Sequence, residues 1–372
     1  MPNTWFDALE IQAQAEEQNP HVLRSGDARL LVAEHGARVL ACELPGLDEN
    51  LFFTTDFTNA DGSRGKLTGG DRLWIAPEIG YFWPTLDDAL RNPKDTAVVP
   101  GQIDPAAWHD MHPEDEDRVE LATGMELTDM RTGKAGKLIA QREIIAERSG
   151  TADTPDLVSM SFVVTHRLEL QPDGTDDGFV AGAWDILQIP PGGTLICPTT
   201  KPLDLAADVR SYYEPFGYRH VALNDQAARF RIDGARRIKA GIRAEGTTGR
   251  MAYYRPLPDG RASLILRIFA PMPGESYCDV PITDPRNASP TEQQQPILGG
   301  DCFQIYNDDG DAFGGGPGVT FGEMEYHDPC VIGGQTPAKR SGTSVTHIVA
   351  GPADAVREWG QTMLDCAIEP LA

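Results

Sequence analysis

"LVSMSFVVTHRLEL", residues 157–170, decides the fold. Met160, Phe162, Val164, His166, Leu168 and Leu170 recur at every second position. An extended chain turns alternate side chains to opposite faces, so these six share one side of a strand. His166 on that apolar face reads as a satisfied core residue rather than a catalyst.

The same texture spreads in both directions. "ARLLVAEHGARVLACEL" (28–44) reads as two strands around a glycine turn, and "RVELATGMEL" with "KLIAQREIIAE" reads as the next hairpin. "FRI", "RRIKAGIRAE", "RMAYYRP" and "ASLILRIFAP" continue the pattern, each bounded by Gly, Pro, Asp or Asn. The 38 glycines and 29 prolines suit many turns and short strands. Helix signals sit only near the ends. Trp5, Leu9 and Ile11 line one side of a helix over 5–17. In "GPADAVREWGQTMLDC", Pro352 falls near a first turn and Val356, Trp359 and Met363 share a face, which places a helix at about 352–366. No strand–helix–strand alternation and no dinucleotide or P-loop glycine pattern occurs. The expected fold is all-β, one large antiparallel sandwich domain over 1–372 with a few short helices. Residues 91–118 and 281–300 read as long loops, the places where sites are built on a rigid sheet.

The chain has 56 acidic against 32 basic residues and a formal charge of −24. That balance disfavours nucleic acid and anionic membrane surfaces as partners. No run of about 18 apolar residues exists to span a membrane. The first twenty residues lack the basic start and apolar stretch of a signal peptide. The six cysteines are scattered without a CxxC pair, so free thiols in a reducing cytoplasm are expected, without disulfide or zinc site. None of the eight histidines has metal-binding spacing, and no metal or cofactor is expected.

Four stretches carry candidate chemistry. "GGDRLWIAPEIGYFWP" (69–84) joins a glycine turn to Arg72, Glu78 and the rings of Trp74, Tyr81, Phe82 and Trp83. A guanidinium fork suits sugar hydroxyls or a carboxylate, and a ring can stack on the C–H face of a pyranose. Asp71 and Glu78 are the expected partners of Arg72. The alternative is an Arg–Glu pair bracing a loop over core aromatics. In "AWDILQIPPGG" (183–193), Trp184, Ile186 and Gln188 point one way and Asp185 and Leu187 the other. "GGDCFQIYNDDGDAFGGG" (299–316) holds Asp301 and an amide- and acid-rich turn at 307–309 and 311, whose spacing does not fit a calcium loop. In "FGEMEYHDP" (321–329), Phe321, Glu323, Glu325 and His327 share a face. Paired carboxylates raise one another's pKa and suit general acid/base work; a solvent-facing strand is the alternative. His220, just before a new strand, is the better site candidate among the histidines. Arg236, Arg237 and Lys239 lie close together, but alternation is expected to splay them to both faces.

Taken in order, "GGDRLWIAPE", "AWDILQIPPGGT", "GGDCFQIYND" and "FGEMEYHDP" resemble an uncharacterised bacterial branch of the galactose mutarotase-like (aldose 1-epimerase-like) superfamily, over roughly residues 25–350. "GQIDPAAWHD" followed by "VELATGMELTD" matches the same texture. The resemblance implies a β-supersandwich whose open sheet holds a sugar. It implies Glu325 as the base that takes the anomeric hydroxyl proton, Glu323 as its neighbour, and Arg72 as a substrate-holding residue. The family's acid histidine lies in a mid-chain segment that here reads "AWDILQIPPGG" and has no histidine; His220 or His109 would have to reach in from a loop.

The expected function is a cofactor-free mutarotase- or epimerase-like step on a sugar or sugar acid. Glu325, Glu323 and His220 are the catalytic candidates. Arg72, Trp74, Glu78, Trp184, Gln188 and Asp301 are the substrate-binding candidates. The alternatives are a non-catalytic carbohydrate-binding or sugar-sensing protein and a structural domain with a vestigial cleft. The expected partner is a small carbohydrate, and a homodimer is compatible with the sequence.

Overall fold

The structure is a computed structural model that describes the chain except residues 1–3, 59–63, 92, 116, 148–155, 214–215, 290–291, 311–317 and 372. Two ten-stranded antiparallel sheets dominate the described residues. The first runs, neighbour by neighbour, through Pro20–Ser25, Ala28–Ala33, Arg38–Glu43, Asp71–Ala76, Val180–Ile189, Gly322–His327, Phe303–Asn307, Ile238–Ile242 and Arg210–Ser211, with Val331–Ile332 paired to Val180–Ile189. The second runs from Val221–Leu223 through Ala227–Ile232, Gly193–Pro198, Arg250–Pro256, Arg261–Phe269, Lys339–Pro352, Val158–Leu170, Ala135–Ala146 and Arg118–Thr128 to His109–Asp110. The expected all-β antiparallel sandwich is present.

Alternation builds the core. In the first sheet Leu73, Ile75, Leu187, Met324, Tyr326 and Ile305 turn inward. They join Ile144, Phe162, Val164, Leu195, Tyr253 and Ile265 of the second sheet in one apolar cluster. The alternating face read from 157–170 lies in this layer. His166 is there too, 1% exposed and 3.0 Å from Asp185, as a paired core residue.

A charge cluster lies inside the same layer. Asp71 and Asp185 of the first sheet meet Arg142 and Arg267 of the second, all at 0% exposure. Arg142 lies 3.1 Å from Asp71 and 3.3 Å from Asp185; Arg267 pairs with both carboxylates. Arg142 also donates to the carbonyls of Ala37 and Asp71. Such a cluster adds little net stability over apolar packing, but breaking it by removing one partner costs about 3–5 kcal/mol. Burial alone would raise the pKa of Asp185. The positive charges of Arg267, Arg142 and His166 outweigh that and hold it low.

The helices sit outside the sandwich. Trp5–Ala15 ends two residues before its expected limit and opens with a capping box between Thr4 and Asp7. Its Phe6 and Ala13 pack on Leu31, Ala33, Leu40 and Ala41 of the first sheet. Ala353–Leu364 lays Val356 and Leu364 on the outer side of the second sheet. Within the expected loop 91–118 lie a helical turn, Pro93–Thr96, and the strand His109–Asp110. Within 281–300 lies the turn Pro285–Ala288. In the acid-rich turn, Asp308 accepts from Gly310 N–H at 2.7 Å, an Asx turn; residue 311 lies outside the described residues.

The central strands of the first sheet are buried on both sides. Every residue of Val180–Ile189 and of Gly322–His327 is buried. One-sided antiparallel strands would show alternating exposure, so the outer face carries a second cover. That cover comes from the Glu78–Tyr81 turn and from the segments around 212–213, 277–282 and 297–301: Lys239 of the sheet donates to Glu78, and Gln304 of the sheet donates to Tyr212 and Asp279.

Candidate functional site

Arg72, Gln188 and Glu323 meet on the outer face of the first sheet. The register explains it: Ile186 stands opposite both Arg72 and Glu325, and Gln188 opposite Glu323. Arg72 Nη2 donates to Glu323 Oε1 at 2.9 Å, and Gln188 Nε2 donates to the same oxygen at 2.8 Å. The glycines before Arg72 bring it there. Gly70 has a φ of +63°, and a Cβ on it would stand 2.2 Å from the Val39 carbonyl oxygen. The chain can therefore pass close enough for Gly70 to donate to Phe53 O and accept from Gln188 N–H.

The expected partners of Arg72 are corrected. Asp71 points to the opposite face and joins the inter-sheet cluster, as alternation requires for adjacent residues. Glu78 accepts instead from Lys239 Nζ at 2.8 Å and from Tyr213 OH at 2.9 Å. Arg72 spends one nitrogen on Glu323 and lies over the Trp74 ring at 4.4 Å. Its Nε and Nη1 have no hydrogen-bond partner among the described residues.

Glu325 lies two residues from Glu323, on the same face but deeper. Trp184 Nε1 donates to its Oε2 at 2.7 Å, and Lys239 Nζ lies 3.5 Å from that oxygen. Its Oε1 is unpartnered among the described residues. Burial, with the nearby charges of Glu323 and Glu78, pushes the Glu325 carboxyl up to about 8 against the pull of Lys239 and Trp184. Burial alone would lower the Lys239 ammonium; Glu325, Glu78 and Asp279 outweigh it and raise its pKa. His327, last on the same strand face, stacks on Trp184 at 5.4 Å. Burial and then Lys239 hold it well below the usual histidine range, so its ring is neutral. The full burial of the Glu323–His327 face rules out the solvent-facing alternative.

Of the four rings in the 69–84 stretch, Tyr81, Phe82 and Trp83 belong to the core, while Trp74 stays partly exposed. Trp184 is buried between His327, the Trp74 edge and the Lys239 ammonium, which stands 4.1 Å from its ring centre. Asp301 is fully buried and accepts from Arg210 and Tyr212 OH. Tyr212 in turn accepts from Gln304, which also donates to Asp279. Asp301 is thus linked through Tyr212 to Gln304, which stands opposite Glu325 on the neighbouring strand. His220 sits on the turn before Val221–Leu223, at the edge of the second sheet. Asp233, Arg231 and Arg236 are its charged neighbours.

Several residues at the site escaped the sequence reading: Lys239, Tyr213, Arg237, Tyr306 and Gln304. The expected alternation separates only Arg236 from Arg237 and Lys239. Arg237 and Lys239 are two positions apart and therefore share the outer face, a signal available in "RRIKAGI". Arg237 lies 4.2 Å over Tyr213 and 5.9 Å over Tyr306, with Nε and Nη1 unpartnered among the described residues.

No family model and no curated protein matches this chain. Among solved structures, a candidate aldose 1-epimerase of Escherichia coli K12 is similar at 12% identity and a TM-score of 0.47, over 89% of this chain and 98% of that one. A galactose mutarotase-like protein from Lactobacillus casei ATCC 334 is similar at 9% identity and 0.39, over 90% and 99%. Galactose 1-epimerase from Lactobacillus acidophilus NCFM is similar at 10% identity and 0.36, over 89% and 94%.

Proposed function

We propose that the outer face of the first sheet binds a small carbohydrate and interconverts its anomers by general acid/base catalysis, without a cofactor. One observation carries this reading. The unpaired Nε and Nη1 of Arg72 and the unpaired Oε1 of Glu325 stand on one face, on residues that both lie opposite Ile186. Buried donors and acceptors left unpaired cost about 1–3 kcal/mol each. A hydroxyl both donates and accepts, so a polyol is the complement of such a set.

The pair Glu323 and Glu325 supplies the proton transfers. Neighbouring carboxylates with divergent environments divide the acid and base roles. Glu325, held near 8, keeps its proton at neutral pH. Glu323, fixed by Arg72 and Gln188, is the carboxylate that takes the anomeric O–H proton. Glu325 delivers its proton to the ring oxygen as the C1–O bond breaks and a carbonyl forms. Rotation about C1–C2 and closure on the other carbonyl face return both protons in reverse. The role that the resemblance gives to Glu325 alone is thereby shared between the two glutamates. Trp74, partly exposed beside Arg72, offers the ring for the sugar's C–H face.

A sugar-binding protein without catalysis is the second reading. Full burial of Glu325 and the distant placement of His220 in the fold favour it. Anomeric NMR of freshly dissolved α-glucose, α-galactose and a uronic acid separates the two. Faster anomer exchange that disappears in both Glu323→Gln and Glu325→Gln supports the enzyme. Saturable shifts at an unchanged exchange rate support the binder. Neither effect across a broad sugar panel removes both.

A further inference from the structure

Away from the carbohydrate face, three segments bring His21, Glu34 and Asp110 together. His21 lies on Pro20–Ser25 and Glu34 directly follows Ala28–Ala33, both in the first sheet. Asp110 belongs to His109–Asp110, the edge strand of the second. His21 Nε2 is 3.4 Å from Glu34 Oε1 and 3.7 Å from Asp110 Oδ2, and the three atoms all lie within 4.8 Å of one another.

Asp110 is the informative member. Its side chain is only 3% exposed. Oδ1 accepts from His112 N–H at 2.9 Å, which fixes the carboxylate plane. Oδ2, turned toward His21 and Glu34, has no hydrogen-bond partner among the described residues. An unpaired buried carboxylate oxygen is costly, and a cation is the group that would satisfy it. Glu34 is oriented as well: Asn19 Nδ2 donates to its Oε2 at 2.9 Å and leaves Oε1 facing His21. Partners of this kind hold metal ligands in place.

We propose that His21 Nε2, Glu34 Oε1 and Asp110 Oδ2 bind one first-row divalent cation of the Zn2+ or Mn2+ class, which ties the edges of the two sheets together. One imidazole nitrogen with two carboxylate oxygens suits such ions. Ca2+ and Mg2+ take all-oxygen shells of six or more ligands, which two carboxylates do not supply. A tetrahedral ion with bonds of about 2.0–2.1 Å separates its ligands by about 3.3–3.4 Å. The 3.4 and 3.7 Å distances need only a small closure to reach that, and the two carboxylate oxygens, within 4.8 Å of each other, close the third side. His21 and Glu34 are 26% and 17% exposed, so the ion enters from solvent and completes its shell with water. The long sequence separation of the three residues hides the site from any spacing motif.

The test uses untagged, chelator-treated protein titrated with ZnCl2 or MnCl2 alone, and with MgCl2 and CaCl2 for comparison. Calorimetry is expected to show one bound Zn2+ or Mn2+, with a raised unfolding midpoint. Asp110→Asn is expected to weaken binding by more than about tenfold. Glu114→Gln, which removes a nearby exposed carboxylate, is expected to leave it unchanged. Should Asp110→Asn fail to fold, anomalous diffraction at the zinc edge on the wild type takes its place, with a peak expected between the three side chains. Undiminished binding in Asp110→Asn, no binding in the wild type, or a peak elsewhere would overturn the proposal. So would a His21 ring that titrates identically with and without Zn2+, the mark of a plain ion pair between histidine and two carboxylates.

Discussion

Glu323 and Glu325 share one strand face, yet the side chain of the first is 10% exposed and that of the second is sealed. Two residues of depth separate a carboxylate fixed by Arg72 and Gln188 from a carboxyl that burial pushes up to about 8. This difference makes the stability of the protein depend on pH. The folded pKa of Glu325 lies above its ordinary 4.5, so folding favours its protonated form. Between about pH 4.5 and 8 the folded state holds more proton than the unfolded chain, and stability falls as pH rises. In Glu325→Gln the group no longer titrates, and its amide oxygen can still accept from Trp184. The stability of this variant relative to wild type is expected to improve from pH 5 to pH 8, by at most about 1.4 kcal/mol per pH unit. Urea unfolding at several pH values measures it; a difference independent of pH would mean that folding does not raise the Glu325 pKa.

In the proposed site Arg72 acts through geometry more than charge. Its flat guanidinium lies over Trp74 and donates to Glu323 while Nε and Nη1 stay unpaired among the described residues. A lysine supplies a point charge without the fork. Arg72→Lys is expected to weaken sugar affinity by more than about tenfold, the loss of about 1.5–3 kcal/mol expected for hydrogen bonds to a charged group. Its unfolding midpoint should shift less than that of the core variants below. Titration calorimetry with the best sugar of the panel checks this, and an unchanged Kd would remove Arg72 from the binding surface.

The inter-sheet cluster predicts a different pattern. Asp185→Ala leaves Arg267 and Arg142 facing each other across a buried gap and is expected to cost about 3–5 kcal/mol. Removing the exposed Arg91, whose pair with Asp87 is open to water, is expected to leave stability indistinguishable from wild type. Chemical denaturation of both variants provides the comparison. Equal, small effects would mean that the cluster is not held as described.

Gly70 is the backbone device that delivers Arg72. At φ +63°, with Val39 O only 2.2 Å from where a Cβ would lie, Gly70→Ala must move one strand away from another. A loss of at least about 2 kcal/mol is expected from strain and overlap together. Gly26, also at positive φ but with open space around it, should tolerate alanine better. Thermal unfolding of the two variants reads the difference.

The legible parts of the site are those set by strand alternation. Trp184 and Gln188 on one face, Asp185 on the other, and Glu323, Glu325 and His327 together all follow from period two. The same rule, applied to Asp71 and Arg72, separates a core carboxylate from a site cation, and applied to Arg237 and Lys239 it unites them. Register was not legible: nothing local in "AWDILQI" states that Gln188 stands opposite Glu323, because pairing between distant strands is fixed by the whole core. The cover was not legible either. Glu78, Tyr212, Tyr213 and Asp279 reach the outer face from turns whose paths depend on the sheet beneath them. Paired partners such as Lys239 with Glu78 emerge only when both segments are in place.

The central claim is that a sugar binds against Arg72, Gln188 and Glu323, beside Trp74. The indole N–H of Trp74, which donates to Asp104 at 3.0 Å, reports on that spot directly. In proton–nitrogen NMR, a sugar from the panel is expected to move this indole signal saturably, and Gln188→Leu is expected to weaken the response sharply. A sugar that binds while the Trp74 signal stays still, or a response unaffected by Gln188→Leu, would contradict the account.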